Sequence, residues 1–107
     1  MTRPRVDILY FAGCPHHEGA RALVERVATA LRVDPNLRVV EVPDLETATR
    51  LRFLGSPTVR VNGRDVEPGA EARDDYGLAC RVYRGDLGLS GQPSEQWIRD
   101  ALAEAAR

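Results

Sequence analysis

The chain has 107 residues, enough for one domain around a single hydrophobic core. Its 15 basic residues are all arginine and face 16 acids, a formal net charge of -1 that provides no field for drawing in nucleic acid or a membrane surface. Without lysine there is no Schiff-base chemistry and no lysine general base, and a hydrophobic share of 43% is ordinary for a globular protein.

The opening Met-Thr-Arg-Pro-Arg reads as a short exposed tail. The longest apolar run, Ile8 to Ala12, is too short for a membrane span or a signal-peptide core, so the expected address is the cytoplasm. Val6-Asp7-Ile8-Leu9-Tyr10-Phe11 is apolar on both faces apart from Asp7, the pattern of a central buried strand. From residue 15 the period changes: Ala20, Leu23, Val24, Val27, Ala28 and Leu31 form one helical stripe, which Asp34-Pro35-Asn36 ends. Leu37 to Val42 reads as a second strand. Asp44 is placed to cap a short helix with Leu45, Ala48, Leu51 and Leu54 facing inward, and Gly55-Ser56-Pro57 stops it. Thr58 to Val61 is a third strand, Asn62-Gly63 a strong hairpin signal, and Arg64-Asp65-Val66 the returning strand. Residues 67–92 hold five glycines and the motif Tyr76-Gly77-Leu78-Ala79-Cys80-Arg81-Val82-Tyr83, a connection long enough to imply a function or a misassigned strand. A last helix starts at Pro93-Ser94 and buries Trp97, Ile98, Ala101, Leu102 and Ala105.

The order is strand, helix, strand, helix, strand hairpin, helix: an α/β domain spanning 1–107, with a mixed four-stranded sheet made of a parallel βαβ unit and an antiparallel hairpin, flanked by helices. Two motifs coincide in it: Cys14-Pro15-His16-His17 at the first strand-to-helix joint, and Ser56-Pro57-Thr58 entering the third strand. On these the chain resembles the thioredoxin superfamily over all but 67–92. More loosely it is similar to the thioredoxin-like "DF" family, some of whose members are selenoproteins. The resemblance implies that Pro57 is cis and faces a reactive Cys14, and that Ser56 pairs its backbone with an extended peptide or glutathione, with Pro57 and Thr58 beside it.

Cys14 lies where the unpaired amides and dipole of a helix start favour an anion, and the thiolate is the species that attacks disulfides or binds soft metals. Pro15 suits a first helical position, and His16 adds a charge or a hydrogen bond. The superfamily's redox members carry Cys-x-x-Cys, and here His17 stands in place of the second cysteine. Three consequences follow: a monothiol cycle with glutathione as co-substrate, a resolving cysteine elsewhere, or loss of redox function. Cys80 is the candidate for the second. The Asn62-Gly63 turn sends the chain back towards Cys14, so 67–92 can fold over or beside the active-site edge. The rival assignment makes Leu78 to Tyr83 the fourth strand, with Cys80 in the core. Arg81 and Arg84, beside Cys80, could hold a glutathione carboxylate or lower the thiol pKa. Tyr76 and Tyr83 would pin the insert to the body. Asp7 is offset by one residue from the buried acid of thioredoxins, hence on the other face, and receives no role.

The expected function is thiol–disulfide oxidoreduction, with Cys14 as nucleophile, Cys80 as resolving thiol, His16 and His17 beside them, and Ser56, Pro57 and Thr58 holding substrate. No resident cofactor or metal is expected. The partners would be a protein or low-molecular-weight thiol or disulfide, and not nucleic acid or a membrane. Two alternatives stay open: a soft-metal or organometal binder using Cys14 and Cys80, and a non-catalytic interaction module.

Overall fold

The structure, a computed structural model, describes residues 3–85 and 88–107. Met1 and Thr2 of the expected tail, and Asp86 and Leu87 of the long connection, lie outside the described residues. Strand β1 (Arg5–Tyr10) is the centre of the sheet, as its apolar sequence requires. It pairs in parallel with β2 (Asn36–Glu41) and antiparallel with β3 (Thr58–Val61), so that Ile8 lies between Val39 and Val59. A two-residue strand β4 (Arg64–Asp65) completes the order β2-β1-β3-β4. The β3–β4 turn has Asn62 at φ 51° and Gly63 at φ 83°, the left-handed pair that suits a two-residue hairpin.

Alternation along β1 sorts the helices. Val6 and Ile8 pack with α1 (His17–Ala30) and α3 (Glu95–Ala105) through Val24, Val27, Ile98 and Leu102, whereas Leu9 packs on the opposite face with Val42, Ala48 and Phe53. The short helix α2 (Leu45–Arg50) is capped as expected: Asp44 accepts from the Thr47 amide at 2.7 Å. Leu45, expected inward, is exposed, because this six-residue helix meets the sheet through Ala48 and through Leu51 just past its end. Asp7 is buried and paired with Arg38 at 2.9 Å and Arg5 at 3.3 Å, a structural ion cluster on the sheet.

The connection from 67 to 92 carries a 3-10 turn (Ala70–Ala72) and a separate hairpin of β5 (Tyr83–Gly85) and β6 (Gly88–Ser90). The rival assignment of Leu78 to Tyr83 as the fourth strand of the main sheet is therefore replaced by the β4 hairpin return. Among the described residues no helix is long and apolar enough to cross a membrane.

Candidate functional site

Between β1 and α1 the chain makes a tight turn in which the Cys14 amide donates to the Phe11 carbonyl at 3.0 Å. The helix begins two residues later than the sequence suggests: α1 starts at His17, Pro15 precedes it, and the cap residue His16 makes no side-chain capping bond. Cys14 therefore meets a single amide of this turn rather than the open end of a helix. The His16 N–H donates to Cys14 Sγ at 3.4 Å. Cys14 as a whole residue is nearly covered, at 4% exposure.

The two histidines are used locally. The His16 ring lies against Gly91, where a Cβ would come within 2.6 Å of it. The His17 ring stacks on Tyr10 at 4.1 Å, with Nδ1 at 3.1 Å from the Cys14 carbonyl and Nε2 at 3.1 Å from Glu18 Oε1. What reaches the sulfur from this pair is the backbone of His16.

Ser56, Pro57 and Thr58 are all buried, and the Ser56–Pro57 peptide is cis. Ser56 Oγ accepts from the Phe11 amide at 3.4 Å, which ties this loop to the turn holding Cys14. The expectation that Ser56 offers its backbone to a substrate meets a correction, because the chain has already taken both groups. The Ser56 amide donates to Ala79 O at 2.8 Å, and its carbonyl accepts from the Arg81 amide at 2.9 Å, so that Cys80 stands opposite Ser56 in a parallel bridge. Pro57 O accepts from the Tyr83 hydroxyl, and Thr58 Oγ1 donates to Gly55 O at 2.6 Å. Residues 79–83 thus form a strap over the edge that the sequence reading reserves for substrate.

Arg81 holds the strap down. Its side chain is 1% exposed and makes a bidentate pair with Asp65, at 2.7 and 3.1 Å, at the end of the β4 return. It also reaches Glu67 at 3.3 Å and donates to Thr58 Oγ1 at 3.0 Å. Its buried Nε finds no acceptor among the described residues, and the guanidinium lies over the Tyr83 ring, with Cζ 4.4 Å from the ring centroid. Burial by itself works against the charge, but the hydrogen bonds to Asp65 and the nearby negative groups outweigh it and hold the guanidinium pKa above its ordinary value. Burial is also the main cause that pushes the Tyr83 hydroxyl up, reinforced by Asp65 and Glu67 and opposed by Arg81. The sequence reading offered Arg81 as a holder of a glutathione carboxylate. It instead pairs with two carboxylates of its own chain, while Arg84 is exposed.

Gly55 explains how the strap comes so close. Its φ of 122° lies in the region that side chains avoid, and a Cβ there would sit 3.0 Å from both Ala79 O and Arg81 Cβ. The strap alternates: Arg81 and Tyr83 point in, Cys80 and Val82 out. Both cysteines are free thiols, Cys14 buried and Cys80 exposed. Three surface hollows of about 260, 540 and 420 Å³ are lined by other residues, and neither cysteine lines any of them. Among the described residues no three His, Cys, Asp or Glu side chains gather where one metal ion could be held, so Cys14, Cys80 and a histidine do not form such a set. No protein-family model matches the chain, and no curated protein matches it either.

Proposed function

We propose that this is a thioredoxin-like dithiol protein that makes and breaks disulfides through Cys14 and Cys80. The carrying observation is the bridge that seats Cys80 opposite Ser56, the residue whose hydroxyl binds the turn containing Cys14. Two residues 66 positions apart in sequence are thereby tied to one loop, as a redox pair must be when the motif's second cysteine is replaced by His17. The sheet order β2-β1-β3-β4, with its parallel first pair, also supports the thioredoxin-like reading.

The chemistry is thiol–disulfide exchange. One thiolate of the pair attacks a substrate disulfide, forms a mixed disulfide and releases the first substrate thiolate. The second thiolate attacks the mixed disulfide, joins Cys14 to Cys80 and releases the other substrate thiolate. Two electrons pass to the substrate and protons are taken from solvent; two low-molecular-weight thiols then reduce the Cys14–Cys80 bond and leave as their own disulfide. The His16 amide supports negative charge on Cys14 Sγ during these steps.

The test is peptide mapping under non-reducing conditions after mild oxidation with oxidised glutathione. A Cys14–Cys80 linked peptide is expected. Glutathione adducts on separate cysteines, or dimers between chains, with no internal link, would refute the two-thiol reading.

A further inference from the structure

We infer, resting on the reading just proposed, that Cys80 is the sulfur that meets outside partners, that Cys14 is its inner resolving thiol, and that the partner is an extended polypeptide carrying a cysteine. This reverses the order expected from the sequence, and the reason is the strap. Cys14 is 4% exposed, whereas Cys80 faces solvent. The backbone edge on which a substrate could pair beside Cys14 is filled by Ala79 and Arg81.

The strap replaces that edge with another, one strand further out. In an extended chain, successive residues turn their N–H and C=O groups to opposite sides. The Ala79 carbonyl and Arg81 amide point at Ser56, so the amide and carbonyl of Cys80 point away from it, and no backbone partner meets them among the described residues. The exposed thiol thus sits on an open strand edge. Val82, 60% exposed, projects on the same side as Cys80, and Leu78, 38% exposed, lies on the other flank. An open edge gives main-chain affinity to an added strand, and side chains at alternate positions give it selectivity. Those side chains are apolar here, so a partner with apolar residues two positions either side of its cysteine fits. A small charged disulfide finds less: Arg81 is spent on Asp65 and Glu67, and neither cysteine lines any of the three hollows described above.

The exchange then runs in a fixed order. Cys80 thiolate attacks one sulfur of the partner's disulfide, forming a Cys80–partner bond and expelling the other sulfur as a thiolate that is protonated by water. Cys14 thiolate attacks Cys80 Sγ, forms the Cys14–Cys80 bond and expels the partner's remaining thiolate. The dithiol loses two electrons and the partner's disulfide gains them.

The probe is a short synthetic peptide whose central cysteine carries a pyridyl disulfide, made once with leucine and once with glutamate two positions either side. Glutathione activated in the same way is the small-ligand control. The released pyridinethione reports the first attack, and mass spectrometry locates the adduct. Cys14→Ser is expected to react near the wild-type rate and to hold the peptide on Cys80. Cys80→Ser is expected to react about tenfold slower, since its remaining thiol is covered. Val82→Thr, which keeps the shape and adds no charge, should slow the leucine peptide more than it slows activated glutathione. A fast Cys80→Ser with the adduct on Cys14, or equal rates for the two variants, overturns the order while leaving the redox pair standing. Equal rates for the leucine and glutamate peptides overturn the partner class. Failure of wild type to form any Cys14–Cys80 link brings down the function proposal as well. Cys80 is exposed and its replacement disturbs no packing, so that variant reads reactivity rather than folding.

Discussion

Replacing Arg81 by Met keeps much of the side-chain volume and removes the charge that holds the strap. Asp65, whose side chain is only 11% exposed, then loses its cation, while Glu67 keeps Arg73 at 3.2 Å. Removing one partner from a buried ion pair costs about 3–5 kcal/mol, mostly because the charge left behind is desolvated and unpaired. Urea unfolding followed by circular dichroism should show that loss, with a melting temperature lower by more than about 10 °C. Adding Asp65→Asn to Arg81→Met should recover part of it, because an orphan carboxylate is removed, with a coupling of about 1–3 kcal/mol. Loosening the strap should also speed alkylation of Cys14, a buried thiol whose turn is tied to the strap through Ser56. A loss under about 1 kcal/mol, the value for an exposed pair, with Cys14 still protected, would show that the strap is held by something other than this guanidinium.

Gly55→Ala places a methyl group 3.0 Å from Ala79 O at φ 122°, and should cost about 1–3 kcal/mol in urea unfolding; wild-type stability would mean the strap does not rest there. The buried Tyr83 hydroxyl has a raised pKa, so it stays protonated in the fold while the unfolded chain ionises near pH 10. Its contribution is complete below that pH and drains away above it, and Tyr83→Phe should unfold less steeply with rising alkalinity than wild type. Asp44, Asp75 and Glu95 are shifted the other way, by hydrogen bonds from Thr47, from Arg73, and from Arg26 and Arg99 respectively. Their contribution is present above the ordinary carboxylate range and lost below about pH 4. A Asp44→Asn, Asp75→Asn, Glu95→Gln variant should therefore show a shallower acid limb in melting temperature, and an unchanged limb would refute the assignment.

The sheet and its helices were legible because each rests on a local signal. The apolar β1, the helical stripe of α1, the Asn62-Gly63 turn and the Asp44 and Ser94 caps each announce themselves within a few residues. The start of α1 is not legible, because no capping side chain marks it: His16 occupies the cap without making the bond. The strap was not legible for a different reason. Its hydrogen bonds to Ser56 use backbone alone, which leaves no trace in side-chain pattern. Its anchor joins Arg81 to Asp65, Glu67 and Thr58, at separations of 14 to 23 residues, and fifteen arginines in the chain give no reason to single one out. Cys80 could be brought near Ser56 by following the hairpin's direction, but which way its side chain faced depended on burying Arg81 and Tyr83.

That burial sets how the site can be approached. If releasing the strap costs about the 3–5 kcal/mol assigned to its ion cluster, the released form is populated to roughly one part in a hundred to one in several thousand. A peptide that needs the Ser56 edge has its apparent affinity weakened by that same fraction. An added strand at Cys80 bears no such penalty, because its edge is open in the ground state. The two routes therefore respond oppositely to Arg81→Met. Loosening the strap should accelerate exchange that enters at Cys14 by up to the inverse of that fraction, whereas exchange that enters at Cys80 should slow, because the edge it uses is no longer held in place. A rate with the leucine-flanked peptide that rises in this variant would contradict entry at Cys80.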